Sequence, residues 1–150
     1  MTESVPGRGE PYAGIERSTA TAWVGWVLLG AIMLVLLGAV HLGTGLVALV
    51  RPEVLAGGRA DLLVPLSLDA LAGFHLVLGA TAVVVGVGLV RGYRWARLSA
   101  LLLAGAAAMV NFAFIAVHPV WSVTALVMIA VVSYAVSAHG AEVAGAYGDT

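Results

Sequence analysis

Few residues in this chain are equipped for chemistry. It carries four histidines, eight carboxylates, seven arginines, no lysine and no cysteine in 150 residues. Histidine is the side chain that changes charge near neutral pH, and it is a common metal ligand. His41 and His75 each stand in an apolar stretch of their own, Asn111 and Thr124 lie on either side of His118 in a third, and Asp69 borders the second. Without cysteine there are no disulfides, thiolate metal sites or iron–sulfur clusters. A formal net charge of −1 leaves no basic surface for phosphate backbones, so nucleic acid is excluded as a partner. No nucleophile–base pair stands in a recognisable context and no glycine-rich phosphate loop follows a strand, so no enzymatic activity is expected.

The elements that hold these residues follow from hydropathy. Hydrophobic residues make up 61% of the chain and charged residues 10%. A soluble domain is about 25% charged, so this composition belongs to an integral membrane protein. Three charge-free runs cover residues 18–50, 70–90 and 98–141, which are 33, 21 and 44 residues long. A spanning helix needs about 20 apolar residues, so the first two runs hold one span each. The third holds two, with a break at His118-Pro119, because proline removes a backbone donor and disfavours helix in the residue before it. The expected spans are 23–50, 68–90, 97–117 and 120–138, within a membrane domain over 21–140. The first run is too long for a cleaved leader's apolar core and follows a polar segment. Residues 1–20 read as a disordered tail, and 141–150 as a flexible one. In the loop 51–67, Gly57-Gly58 suggests a turn or small hairpin, and Pro65 argues against helix through its second half.

Counting arginines orients the bundle. Four spans put both termini on one side, with Arg8, Arg17, Arg91, Arg94 and Arg97; the other side has Arg51 and Arg59. The excess predicts cytoplasmic termini and a cell (inner) membrane location. Trp23, Trp26, Tyr93 and Trp95 fit an inner aromatic belt, and Trp121 an outer one. Arg91, Arg94 and Arg97 then serve as a topology signal in contact with lipid headgroups. The alternative is a site for a specific anionic ligand.

At about 1.5 Å of rise per residue, His41, His75, Asn111 and Thr124 all fall roughly 21–25 Å from the inner end of their spans. This polar layer lies in the outer half of the bilayer, with Asp69 and His118 at the outer mouth. Three chemistries suit it. In the first, the histidines and Asn111 bond to one another or to carbonyls and hold helix register. In the second, an outward-opening ligand or ion site uses Asp69 with His75, although six residues on a helix turn their faces some 120° apart. In the third, two histidines at matched depth ligate a haem iron or a divalent metal. A proton-coupled carrier usually carries a carboxylate within the membrane, and here only Asp69, at the mouth, qualifies. Neither a metal nor a cofactor is assigned.

Small residues set the packing. Gly30, Gly38, Gly43 and Gly45 lie in the first span, Gly73, Gly79, Gly86 and Gly88 in the second, and Ala104 to Ala108 with Gly105 in the third. Each group offers a face where backbones can approach. With short connections, the expected fold is all-α, a four-helix membrane bundle.

Over residues 23–140 the chain also resembles a family of small four-span membrane proteins of unknown function common in actinobacteria. The resemblance rests on Gly25-Trp26-Val27-Leu28, Gly45-Leu46-Val47-Ala48-Leu49, Phe74-His75-Leu76-Val77-Leu78-Gly79 and Gly88-Leu89-Val90-Arg91-Gly92. It continues through Trp95-Ala96-Arg97, Ala108-Met109-Val110-Asn111-Phe112, His118-Pro119-Val120-Trp121-Ser122, Tyr134-Ala135-Val136 and His139-Gly140. It implies the fold and the membrane location, with His75 and Asn111 at family positions, and it brings no activity. Members often carry Asn where His41 stands and Trp near Ala72.

The expected function is that of a non-enzymatic accessory or structural membrane protein. Its partners are lipids and either another membrane protein or a second copy of the chain. The alternatives are a ligand-binding, ion-binding or transport protomer, and a haem- or quinone-associated redox subunit.

Overall fold

A computed structural model gives the fold, and residues 21–56 and 67–146 are described. The expectations for the tail 1–20 and for a turn at Gly57-Gly58 lie outside the described residues. All regular structure among the described residues is helical: α1 Trp23–Val50, α2 Pro52–Ala56, α3 Leu68–Val90, α4 Arg94–Ala113 and α5 Pro119–Ala146. Helices α1, α3, α4 and α5, of 28, 23, 20 and 28 residues, are long and apolar enough to cross a membrane. In lipid every backbone polar group must find an internal partner, so apolar runs of this length become helices.

The helix ends have local causes. Pro52 disfavours helical geometry at Arg51, whose backbone leaves the helix at φ −135° and ψ 61° and closes α1. Pro52 then takes the first position of α2, where its missing N–H costs nothing. Ser67 caps α3 by accepting from the Ala70 N–H at 3.2 Å, and Asp69 adds negative charge to that first turn. Helix α3 ends in a Schellman turn. Gly92 has φ +73°, Tyr93 N–H donates to the Gly88 carbonyl at 3.0 Å, and Gly92 N–H donates to the Leu89 carbonyl at 2.9 Å. A Cβ at Gly92 would also come within 2.8 Å of the Ala144 backbone.

Two boundaries differ from the sequence expectation. The third span occupies Arg94–Ala113 rather than 97–117. The tight Gly92 turn lets helix restart at Arg94, while reversing direction before Pro119 consumes residues 114–118, a hydrogen-bonded turn. Proline forbids helix only just ahead of itself; the reversal needs more chain than that. Helix α5 continues past Ala138 to Ala146, so residues 141–146 extend the helix rather than a flexible tail. Val143 is fully buried there, and Gly140 packs under the Arg97 side chain.

The four long helices form a ring in which α1 neighbours α3 and α5, and α4 neighbours the same two. Helices α1 and α3 pack most closely, antiparallel, through small residues. A Cβ at Gly38 would lie 2.7 Å from the Gly79 carbonyl oxygen, one at Gly86 would lie 2.8 Å from that of Ala31, and one at Gly45 would lie 3.0 Å from that of Ala72. The contacts Ala31/Gly86, Gly38/Gly79 and Gly45/Ala72 recur every seventh residue on both helices. A seven-residue repeat keeps one seam facing its partner along a left-handed pair.

The larger core residues gather at the end of the bundle that carries both termini: Val27, Val85, Leu89, Val136 and Val143, with Ala31, Ala96, Ala100 and Ala135. Ile32, Leu36, Val77, Leu102, Met109 and Val127 are exposed, as suits surfaces that meet lipid tails.

Candidate functional site

The small-residue seam decides where the histidines go. His41 lies between Gly38 and Gly45 on α1, and His75 between Ala72 and Gly79 on α3. Backbones that touch at glycine bring the neighbouring imidazoles together, and the two Nδ1 atoms stand 2.8 Å apart. The rings are tilted by 31° with centroids 4.9 Å apart, and the Phe74 edge meets His75 at 5.7 Å. Both histidines are half-buried.

Chemistry restricts what this pair can be. One Nδ1–H donates and the other Nδ1 accepts, so the accepting ring carries its proton on Nε2. Protonating the accepting Nδ1 as well would set two N–H groups against each other and break the contact, whereas a proton on the donor ring's Nε2 leaves it in place. A tetrahedral zinc ion at about 2.0–2.1 Å from each of two imidazole nitrogens sets them about 3.3 Å apart, wider than the 2.8 Å between these two. Among the described residues, no three His, Asp or Glu side chains converge as a ligand set.

The other residues expected in the layer bond locally. Asn111 is half-buried on α4, and its Nδ2 donates to the Ala107 carbonyl at 2.9 Å. Thr124 is exposed, and its hydroxyl donates to the Val120 carbonyl at 2.8 Å. Thr44 and Thr81 bond back to Val40 and Val77 in the same way. Such bonds satisfy a hydroxyl inside its own helix. At the mouth, Asp69 is exposed in the first turn of α3 and His118 is exposed in the 114–118 turn. Asp69 and His75 are not joined: both lie on the continuous helix α3, and His75 faces His41 instead.

At the opposite end, Arg91 is the C-cap of α3, and Arg94 and Arg97 lie in the first turns of α4. Trp95 packs against Gly88, where a Cβ would come within 3.0 Å of the indole. The Arg97 stem crosses α5 over Gly140.

A second cluster at this end escaped the reading of the sequence. Trp23 stacks on His139 with centroids 5.3 Å apart and planes at 7°, and Tyr134 meets Trp23 edge-on at 5.0 Å. His139 Nδ1 stands 2.6 Å from Glu142 Oε1. Glu142 Oε2 accepts from the Thr21 backbone N–H at 3.0 Å and from its hydroxyl at 2.8 Å. Glu142 lies beyond the charge-free stretch of α5. The hydrogen bond with His139 and the two Thr21 donors hold its carboxyl well below the usual range, at about 2. The available signal was His-x-x-Glu spacing at one helix end, level with a tryptophan opening the first span.

The chain matches, over residues 26–141, the family described as Domain of unknown function (DUF7144), and it belongs to that family. No curated protein and no solved structure matches it.

Proposed function

We propose that this DUF7144 chain is a non-enzymatic accessory membrane protein, seated among lipids and against another membrane protein or a second copy of itself. The supporting observation is how its intramembrane polar groups are engaged. His41 bonds to His75, and Asn111 and Thr124 bond to carbonyls of their own helices. A transport or catalytic site instead tends to keep an ionisable group facing a cavity or a relay. Among the described residues, the one interhelical polar contact of the layer holds α1 and α3 in register.

A second reading, a ligand- or ion-binding protomer, is favoured by the same histidines. Two imidazoles side by side at one depth can jointly hold a cation once they part. Native mass spectrometry of the full chain, released gently from its membrane, separates the two. The accessory reading expects the bare chain with lipid, a partner chain or a second copy, unchanged in His75→Ala. A mass adduct lost in His75→Ala would overturn it in favour of the site.

A further inference from the structure

Positive charge is concentrated where a helix already carries its own. Arg94 and Arg97 sit in the opening turns of α4, Arg91 lies just before it, and no acidic residue occupies the first turn. The N-cap Tyr93 makes no side-chain capping bond, so the leading N–H groups of α4 have no side-chain acceptor from it. A helix N-terminus carries about half a positive charge and favours anions. Three guanidiniums there repel it unless an anion intervenes.

The described residues offer little compensation. Their acids are Glu53, Asp69 and Glu142. Glu53 pairs with Arg51, Asp69 lies at the other end of α3, and Glu142 is engaged by His139 and Thr21. The Arg97 Nε is buried and makes no hydrogen bond among the described residues. A buried donor without an acceptor is costly, more so when charged. The Arg97 stem can lie there only because Gly140 has no side chain: a Cβ would meet its Cδ at 2.5 Å. The stem is thereby held against α5 while the side chain as a whole stays half-buried, and its guanidinium is a planar fork suited to two phosphate oxygens.

We propose that Arg91, Arg94 and Arg97 form a headgroup site for an anionic phospholipid, with Arg97 as the phosphate fork. The surroundings identify a lipid rather than a soluble phosphate. Tyr93 and Trp95, 44% and 49% exposed, flank the arginines as interfacial aromatics do. Below them Val87, Val90, Leu98 and Leu102 present an exposed apolar surface along which acyl chains can lie. Basic pockets between spans are a recurrent lipid-binding arrangement.

The experiment uses the full chain in a neutral detergent, with phosphatidylglycerol or phosphatidylcholine added and retained lipid counted by native mass spectrometry. Phosphatidylglycerol is expected to be retained preferentially. Arg97→Gln should lower its retention about fivefold, the equivalent of ~1 kcal/mol per basic residue at a membrane surface. Arg91→Gln and Arg94→Gln change exposed residues, so they test the site should Arg97→Gln fail to fold. Arg51→Gln, at the far end, should change nothing. Equal retention of both lipids, or undiminished retention in the three variants, would overturn the proposal. Displacement of the lipid by excess inorganic phosphate would overturn its lipid half and reassign the arginines to a soluble anion.

Discussion

The most informative residues are those whose partners lie far away in sequence. Glu142 and Thr21 are 121 positions apart, yet their contact fastens the start of α1 to the end of α5. Its pH dependence has a definite sign. The carboxyl titrates at about 2 in the fold against an ordinary 4.5. Its stabilising contribution is therefore fully present above about 4.5 and is lost as pH falls through about 2. Trp23 fluorescence, which senses the stacked His139, should change in that window and stay flat in Glu142→Gln. A flat wild-type response would show that the contact does not form. His41 and His75 allow a second residue-scale expectation. Removing one imidazole leaves the other half-buried without its partner, so His75→Leu should cost about 1–3 kcal/mol. The double variant His41→Leu/His75→Leu should cost less than the two single changes together, because the coupling between contacting residues is lost only once. Unfolding of all four proteins in mixed micelles measures this, and strict additivity would argue against the bond.

At the scale of the element, the glycines divide into two kinds that composition cannot separate. Gly38 and Gly79 face each other's backbones within 2.7 Å of a built Cβ, whereas Gly43 and Gly105 have nothing within 4 Å. Membrane helices associate by close fit, since lipid is as apolar as their side chains. Gly38→Ala must therefore part α1 from α3, at a cost of about 1–3 kcal/mol or more. It should also separate the histidines, which depend on the same approach. Gly43→Ala has room and should be neutral or stabilising by up to about 1 kcal/mol, the helix preference of alanine over glycine. Thermal denaturation in detergent compares the pair, and equal effects would contradict the packing assigned to α1 and α3. The small residues of α1 and α3 recur at seven because they must meet one another along one seam.

The whole molecule is packed unevenly. Its large buried side chains lie at the end with the Gly92 turn, the Trp23–His139 stack and the three arginines. Toward the other end, burial is confined largely to the small residues of α1 and α3 and to Ser122. Among the described residues, one end is thus anchored by aromatics, charge and core together, and the other by one seam and one histidine pair. The arginine-rich end is expected on the cytoplasmic side. A reporter active only outside the cytoplasm, fused after Thr150, should then be silent. Activity from that fusion would reverse the orientation while leaving the bundle intact.

Much of this architecture could be read directly from the chain. A bilayer has a set thickness and satisfies no backbone hydrogen bonds, so charge-free runs of sufficient length determine spanning helices wherever they occur. Proline and glycine act on their own residues, which is why Pro52, Gly92 and Pro119 mark boundaries. Helical rise alone puts His41 and His75 level with each other, and there the two rings meet. Tertiary structure decided which glycines form the seam, that the two histidines meet while Asp69 stays apart, and that α5 outlasts its apolar stretch to place Glu142 against Thr21. These depend on shape complementarity between surfaces of separate helices, and a run of Leu, Ala, Gly and Val offers several such surfaces on every helix. Hydropathy determines which segments enter the membrane, but the relative rotation of two helices is settled only when their side chains are fitted together in three dimensions.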